Sequence, residues 1–147
     1  MVKKASLLWM DLEMTGLDAS RDKILEVACI ATDWEFAEIA TFEAAVRVPN
    51  EIVKERMVGD FWKKFARTRK SLVKQNNEAE FSSAEVEQKL LEFIDENFDA
   101  KKEIYLAGNS IHQDRKFIVA EWPLVDAKLH YRMLDVSAWK IVFVNKM

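Results

Sequence analysis

The feature that most constrains the fold is an apolar run, residues 7–10, that ends in two carboxylates, Asp11 and Glu13. A short apolar run before a polar break is typical of a buried strand in an α/β sheet. Because side chains alternate across a strand, Asp11 and Glu13 project from the same face. Thr15 and Gly16 then break the strand, and the glycine permits a close approach of backbone or ligand. The segment predicts a buried strand with two acids at its end.

Two neighbouring acids repel each other unless a cation lies between them, and a divalent metal ion would relieve that repulsion. The alternative is an ordinary solvated strand end. Acids make up 25 of the 147 residues, so an acid-x-acid spacing occurs by chance about four times in such a chain. The spacing alone does not separate the two hypotheses. The apolar strand before Asp11 and Glu13 and the break after them favour a metal site over a solvated strand end.

Composition and charge predict a single domain of a globular protein. The chain is long enough to bury a core, and 50% hydrophobic with 32% charged residues is typical of folded chains. The net charge of −3 provides no global field for nucleic acid, so a polyanion must be held locally or through metals. The lone cysteine, Cys29, predicts a reducing compartment. We therefore expect one cytoplasmic domain, or a mitochondrial one in a eukaryote, with no signal peptide or membrane span in the given residues.

The apolar patterns predict an α/β fold with a mixed sheet. The predicted strands are residues 6–14, 24–32, 38–48, 104–107 and 130–136. The predicted helices are residues 51–57, 68–76, a helix starting at Ser82, residues 113–121 and a segment after Ser137. The first three strands are closely spaced, which favours an antiparallel meander. Thr68, Ser82 and Ser137 are predicted N-caps, and Ser82 with Glu85 fits a capping box.

A strand–loop–helix junction at residues 108–115 carries the second candidate group, Ser110 and Asp114. If its strand neighbours the first strand, Asp114 faces Asp11 and Glu13 and completes a three-carboxylate cage suited to Mg²⁺ or Mn²⁺. The alternative is that Asp114 has no role in a site and lies in the first turn of its helix because the helix dipole stabilises a negative charge there. Ser110 is in turn a candidate phosphate donor or a simple cap.

The third candidate group lies at residues 130–137, which predict a strand and its exit. Arg132 and Ser137 are suited to hold a terminal phosphate, and Tyr131 is suited to stack on a base. The alternative is ordinary strand packing with polar ends, which accounts for these residues equally well.

Together the three groups resemble the oligoribonucleases, 3′→5′ exoribonucleases of the DEDD exonuclease superfamily. The matching segments are residues 9–18, residues 108–114 and residues 130–137, in the family's order, and the resemblance spans roughly residues 5–140. It implies a ribonuclease-H-like mixed sheet flanked by helices. It also implies hydrolysis of short RNA oligonucleotides, dinucleotides especially, to mononucleotides by a homodimer with no membrane association.

The resemblance further implies roles for individual residues. Asp11, Glu13 and Asp114 would be the catalytic metal ligands, binding two Mg²⁺ or Mn²⁺ ions that activate water and stabilise the leaving 3′ oxygen. Leu17 would wedge between the last two bases, and Trp62 would line the 3′ end. Ser110, Arg132 and Ser137 would cap a 5′-phosphate, with Tyr131 contributed by the partner subunit. Phosphate contacts at a fixed distance measure length without reading bases.

One family motif, His-x-Ala-x-Asp-Asp, has no counterpart in the sequence. In the family it supplies the general base and a fourth metal-binding acid. His112 and His130 are the only histidines, and residues 139–147 are apolar and β-branched instead. Loss of a positioned base typically costs about 10²–10⁴-fold in rate. We therefore expect residues 1–147 to be a C-terminally truncated exonuclease domain with little or no activity.

The same ending predicts an exposed apolar surface. We expect one face of the sheet and Ile141, Val142 and Phe143 to lie uncovered, which favours self-association. Two alternatives to an enzyme remain open at this point. One is a module that binds short oligonucleotides without cleaving them, and the other is an interaction subunit that dimerises with a full-length copy.

Overall fold

The computed structural model describes residues 4–146 and contains a five-stranded mixed sheet flanked by helices. The strands are β1 (Leu7–Met14), β2 (Ile24–Thr32), β3 (Glu38–Ala45), β4 (Tyr105–Gly108) and β5 (Met133–Asp135). The helices are α1 (Asn50–Arg56), α2 (Asp60–Lys64), α3 (Ala66–Glu78), α4 (Ser83–Asn97), α5 (Ile111–Glu121), α6 (Pro123–Asp126) and α7 (Val136–Lys146). The predicted α/β class is confirmed. Among these residues no helix has the length and apolar character needed to cross a membrane.

The strand order β3-β2-β1-β4-β5 places β1 at the centre of the sheet. The first three strands form the predicted antiparallel meander, and β4 and β5 add to it in parallel. Leu7 pairs with Tyr105 and Trp9 with Ala107, so β1 and β4 both end at the same edge of the sheet. Ligands of open α/β sheets bind at that carboxyl edge. Asp11 and Glu13 lie in the last half of β1, and Asp114 lies in the helix that follows β4.

One face of β1 supplies the centre of the core. Leu8, Met10 and Leu12 are buried, as alternation requires. The helix α4 covers this face with Val86, Leu90, Phe93 and Ile94, and α5 adds Phe117 and Ile118. The predicted capping box of α4 is present, since the Ser82 Oγ accepts from the Glu85 amide at 3.3 Å. Removing such apolar surface from water is the main favourable term in folding, at about 25 cal/mol per Å².

The opposite face of the sheet is covered only in part: Leu7 is fully buried there, whereas other residues are not. Trp9 makes an edge contact with Phe36 at 5.8 Å between ring centroids, while Ile30 and Asp11 remain exposed. The helix α7 buries none of its side chains over residues 136–146. The predicted exposure is confirmed, because Ile141, Val142 and Phe143 are 64%, 46% and 58% exposed.

Five features of the local structure differ from the predictions. The short helix α2 was missed, and α3 begins at Ala66, so Thr68 lies inside its first turn rather than at the cap. The last strand contains only Met133–Asp135, and the third ends at Ala45, three residues before the expected end. Ser137 is not the cap of α7, since its amide and hydroxyl both donate to the Asp135 carboxylate, at 3.0 and 2.6 Å. Asp135 occupies the capping role instead.

Candidate active site

The acid pair on β1 is arranged as strand alternation predicts. Asp11 and Glu13 lie on one face, and the buried Leu12 lies between them on the other. Glu13 pairs across the sheet with Glu26 of β2. Burial is the main cause of a raised Glu13 pKa, and repulsion from Asp11 and Glu26 adds to it. The end of β1 is therefore a region of concentrated negative charge.

Asp114 reaches the same region from the first turn of α5. The end of β4, three residues before α5 begins, approaches β1 closely, because a Cβ on Gly108 would lie 2.8 Å from the Met10 carbonyl oxygen. Asp114 is nearly buried, and burial raises its pKa to about 7, with further increases from Asp11 and Glu13 and an opposing hydrogen bond from the Leu12 backbone. The three carboxylates therefore interact electrostatically.

The closed three-carboxylate cage that we expected is not preformed. Across residues 4–146, no group of three His, Cys, Asp or Glu side chains lies close enough together to hold a metal ion. The donor chemistry nevertheless fits Mg²⁺ or Mn²⁺, which prefer carboxylate oxygens. Burial is the main cause of the raised Asp114 pKa, and the repulsion from Asp11 and Glu13 that adds to it is the part that a bound cation would relieve. The metal roles of Asp11, Glu13 and Asp114 remain predictions.

A cleft of about 390 Å³ opens beside Glu13. Leu17 and Trp62, the predicted substrate contacts, both line it, together with Phe61. Leu17 is 74% exposed, which leaves its side chain free to contact a ligand, whereas Trp62 is 6% exposed. The Trp62 indole donates to the Thr15 carbonyl oxygen at 2.8 Å. The structure thus brings Glu13, Leu17 and Trp62 to one cleft.

A buried polar cluster, which we call the Asp22 cluster, holds the wall of this cleft. The Asp22 carboxylate accepts from the Thr15 hydroxyl at 2.8 Å, the Asp18 amide at 2.9 Å and the Arg56 Nε at 2.9 Å. Gly16 is required beside it, since an added Cβ would lie 2.5 Å from the Asp22 Oδ2. Burial alone would raise the Asp22 pKa, but the hydrogen bonds from Arg56, Asp18 and Thr15 together lower it.

Sequence reasoning missed the Asp22 cluster. Asp22 lies between the predicted strands 6–14 and 24–32, and a single acid among polar residues carries no sign that it is buried. Its partner Arg56 lies 34 residues away at the end of α1, and no local pattern connects the two. The Thr15-Gly16 pair was the one available signal, and it was interpreted as space for a ligand rather than for Asp22.

The two predicted phosphate-cap serines meet at Asp135. The Asp135 Oδ1 accepts from the Ser110 amide at 2.9 Å and from the Ser137 hydroxyl at 2.6 Å. Ser110 adopts a left-handed conformation, with φ of 50°. His112 approaches the other carboxylate oxygen, with Nδ1 3.5 Å from Oδ2. The Ser137 hydrogen bond is the main cause of a lowered Asp135 pKa, so Asp135 carries a negative charge between the two serines.

Tyr131 and Arg132 lie on the surface next to that group. Tyr131 is 71% exposed and stacks on the His130 ring at 4.5 Å. The Arg132 guanidinium carbon lies 5.4 Å from the centroid of the Tyr131 ring. Within the described part of the chain, no hydrogen bond joins Tyr131 or Arg132 to Ser110 or Ser137. The structure therefore joins Ser110 and Ser137 through Asp135 and leaves Tyr131 and Arg132 outside that group.

Comparison with known proteins gives consistent results. Residues 8–147 match the RNase T exonuclease family. The oligoribonuclease of Neisseria meningitidis serogroup A is 40% identical over 141 residues, covering 95% of this chain and 73% of that protein. The oligoribonuclease of Chromobacterium violaceum is 37% identical over 135 residues, covering 92% of this chain and 73% of that protein.

Solved structures of similar fold include exonuclease I from Methylocaldum szegediense, with a TM-score of 0.52 and 20% identity over 77% of this chain. Another is Escherichia coli exonuclease I in complex with an oligonucleotide, with a TM-score of 0.54 and 13% identity over 78% of this chain. The chain spans only 22% and 23% of those two proteins. At such low identity the likeness shows the fold alone, and that fold is ribonuclease-H-like.

Proposed function

The chain belongs to the RNase T exonuclease family, as a relative of the oligoribonucleases, and from that premise we propose that it degrades short RNA oligonucleotides, dinucleotides especially, to mononucleotides. The coarser activity, a 3′→5′ exonuclease, follows from the family. The observation that carries the proposal is the cleft beside Glu13, in which Leu17 and Trp62 face the charged end of β1. We propose that residues 1–147 form one such domain and, with Cys29 free and buried, that it acts in the cytoplasm.

Asp11, Glu13 and Asp114 are the residues that would hold two Mg²⁺ or Mn²⁺ ions. Bound there, such ions supply an activated water and stabilise the leaving 3′ oxygen. The protein's own contribution is positional. The Asp22 cluster fixes the Thr15–Asp18 turn, Leu17 on that turn separates the last two bases, and Trp62 closes the 3′ end through its bond to Thr15.

The 5′ end of the substrate would be held by Ser110, Arg132 and Ser137. Arg132 is exposed and supplies the positive charge, since the Ser137 hydroxyl already donates to Asp135. Tyr131 projects into solvent and would stack on a substrate bound to the partner subunit of a homodimer. Contacts at both ends of two nucleotides would produce the dinucleotide preference.

A positioned general base is the weak point of the site. Among the described residues both histidines are already close to acids, His112 to Asp135 and His130 to Glu103, each at 3.5 Å. A missing base costs about 10²–10⁴-fold in rate. We therefore propose that residues 1–147 alone turn over dinucleotides slowly. Turnover at an ordinary enzymatic rate would contradict this, and His112 would be the first residue to substitute.

The metal site is tested by thermal unfolding with and without Mn²⁺ or Mg²⁺. A ligand selective for the native state stabilises it, so the melting temperature should rise with metal concentration. Asp11→Asn and Asp114→Asn should abolish the rise, whereas the exposed Glu38 of β3 provides a control in Glu38→Gln. An undiminished rise in both site variants would show that the metal binds elsewhere.

The phosphate cap is tested by calorimetric binding of dinucleotides with and without a 5′-phosphate. Arg132→Ala should weaken binding of the phosphorylated form by about 10–100-fold, because a charge-assisted hydrogen bond is worth about 1.5–3 kcal/mol. The other form should be little affected. Lys116→Ala removes an exposed cation from α5 and is the matched control. Equal losses for both dinucleotides would remove Arg132 from the cap.

A further inference from the structure

One segment of the chain concentrates positive charge without any acid. Residues 61–77 contain six lysines and arginines and no acid, although the formal net charge of the whole chain is −3. We call five of the six the basic ridge: Lys63 and Lys64 of α2, and Arg67, Lys70 and Lys74 of α3. The sixth, Arg69, is engaged by the fold, since its Nε donates to the Met57 carbonyl oxygen at 2.7 Å.

The basic ridge is exposed, and its charges are not paired with acids in the part of the chain that the structure describes. All five side chains are solvent-exposed, and none forms an ion pair with any described residue between 4 and 146. Helical spacing places Arg67, Lys70 and Lys74 on the solvent side of α3, opposite the buried Leu72 and Asn76. Like charges three and four residues apart destabilise a helix slightly. The ridge therefore does not serve the stability of this chain.

Aromatic rings lie among these charges. Phe61 and Phe65 are 55% and 42% exposed, with their ring centroids 4.9 Å apart. Phe61 also meets Trp62 edge to face at 5.0 Å. Exposed rings beside cations are what single-stranded nucleic acids require, because bases stack on the rings while phosphates pair with the cations. An acidic protein surface or a lipid headgroup would use the charges but would not require the rings.

The basic ridge begins at the candidate active site. Phe61 and Trp62 line the cleft that contains Glu13, and Arg67 lines a second groove, with Glu13 and Glu26 on its other side. The two acids repel phosphate from the sheet side of that groove, so a strand bound in the groove would lie along α3. The cleft and the ridge thus form one continuous surface with Glu13 at their junction.

We propose that the basic ridge, with Phe61 and Phe65, binds single-stranded nucleic acid longer than a dinucleotide and holds it next to the cleft. The ligand is recognised by its phosphates and unpaired bases, without preference for sequence. The proposal deepens the proposed function, on which it rests for the supply of strand ends to the cleft, but the binding itself requires neither metal nor cleavage.

The test compares binding of a fluorescein-labelled 12-nucleotide RNA in EDTA, followed by anisotropy over a range of salt concentrations. The ridge variant carries Lys63→Gln, Lys70→Gln and Lys74→Gln. Its matched control carries Lys101→Gln, Lys102→Gln and Lys116→Gln, three exposed lysines elsewhere on the surface. We expect the ridge variant to bind at least ~10-fold more weakly at 0.1 M salt, with the salt slope reduced by about 2, since each single-strand phosphate contact contributes about 0.7. The control should change less than ~2-fold.

A second variant, Phe61→Ala with Phe65→Ala, separates nucleic acid from other polyanions. It should weaken binding of the RNA several-fold with an unchanged salt slope, and it should leave binding of heparin, which has no bases, unchanged. Undiminished RNA binding by the ridge variant, or equal effects of the aromatic variant on RNA and heparin, would overturn the proposal. Melting temperatures near that of the wild type confirm that each variant folds.

Binding of a 5′-phosphorylated dinucleotide in Ca²⁺ distinguishes this proposal from the proposed function. An unchanged dinucleotide affinity in the ridge variant, together with loss of the 12-nucleotide RNA, supports the ridge. A second outcome is that the wild type binds the 12-nucleotide RNA but not the dinucleotide, and that the ridge variant no longer binds the RNA. That outcome supports the ridge and contradicts the proposed function. If the dinucleotide binds and the longer RNA is unaffected by the ridge variant, the ridge fails and the proposed function remains.

Discussion

The wall of the cleft and the helix α7 are opposite cases of how side chains find partners. In the wall, the buried Asp22 accepts hydrogen bonds from two separate segments, the Thr15–Asp18 turn and the end of α1, and the indole of Trp62 donates to the Thr15 carbonyl oxygen. In α7, no side chain of residues 136–146 is buried, and large apolar side chains such as Ile141 and Val144 face solvent. The wall is held by tertiary contacts, whereas α7 is held by its own backbone hydrogen bonds.

The difference indicates what each region is suited to do. A buried polar group that loses its partner costs about 1–3 kcal/mol, so the wall has one stable arrangement and can present Leu17 in a fixed place. An apolar helix face without a covering element instead favours association with another surface. Substitutions in the wall should therefore lower the free energy of unfolding. Substitutions in α7 should instead reduce self-association with little effect on that free energy.

The largest effect is expected from Asp22→Asn. The substitution keeps the size of the side chain but removes the negative charge that pairs with Arg56. It also replaces a carboxylate oxygen, which accepts hydrogen bonds, by an amide NH₂ group that faces the donors of Thr15, Asp18 and Arg56. Breaking a buried ion pair costs about 3–5 kcal/mol; since Arg56 is partly exposed, we expect a loss of about 2–4 kcal/mol in the free energy of unfolding, measured with urea. Asp95→Asn, which breaks the exposed pair with Lys128, should cost less than about 1 kcal/mol.

The pH dependence of the same variant checks the cause. The folded-state pKa of Asp22 is lowered by its hydrogen bonds, so its contribution is fully present above the unfolded pKa of about 3.9 and is lost as the pH falls through the folded value. The stability difference between wild type and Asp22→Asn should therefore be constant from pH 5 to 7 and shrink below about pH 4. A difference independent of pH would indicate that packing rather than charge was lost.

A smaller loss is expected from Gly16→Ala. The added Cβ would lie 2.5 Å from the Asp22 Oδ2, and the Asp22 carboxylate is held in place, so the turn must shift. Overpacking of this kind costs about 1–3 kcal/mol, again measured by urea unfolding. In an Asp22→Ala background, Gly16→Ala should lower the free energy of unfolding by less, because the carboxylate that the new Cβ would contact is absent. An equal cost in both backgrounds would place the strain elsewhere.

The predicted structure and the observed one differ most where partners are distant in sequence. The elements with strong periodicity, such as β2 and α4, were predicted well from local patterns, because alternation and the Ser82 capping box are written in consecutive residues. The condition under which Asp114 would lie near Asp11 and Glu13 is met, since β4 pairs with β1 in parallel, but the metal roles of these three acids stay predictions. Asp22, Arg56 and Asp135 were missed, because their roles arise from contacts across 25 residues or more.

Trp62→Phe is expected to have a moderate effect. It keeps most of the buried ring but leaves the Thr15 carbonyl oxygen without the indole donor. We expect a loss of about 1–2 kcal/mol in unfolding free energy. Trp139→Phe is the corresponding change in α7, where the ring is 56% exposed; it should cost less than about 0.5 kcal/mol. Similar losses at the two tryptophans would contradict the contrast between the regions.

The smallest effect on stability is expected from Ile141→Gln combined with Val144→Gln in α7. Both side chains are more than half exposed, so the free energy of unfolding should change by less than about 0.5 kcal/mol. Self-association, measured by sedimentation velocity, should decrease, since apolar surface is replaced by polar surface. A wild-type chain that is already monomeric at high concentration would show that this helix face does not drive association.

The parallel pairing of β1 with β4 also has a consequence for synthesis of the protein. The partner of β1 on one edge, β2, is complete once the first 32 residues of the chain are made. The partner on its other edge, β4, is complete only at Gly108. At about 5–20 residues per second, the ribosome needs about 4–15 s to make the intervening residues, and for that time the future centre of the sheet is an open strand edge. Such an edge pairs readily with other extended chains. The nascent chain should therefore be most prone to aggregation between completion of β3 and emergence of β4, and a stall in that interval should lower the yield of folded protein.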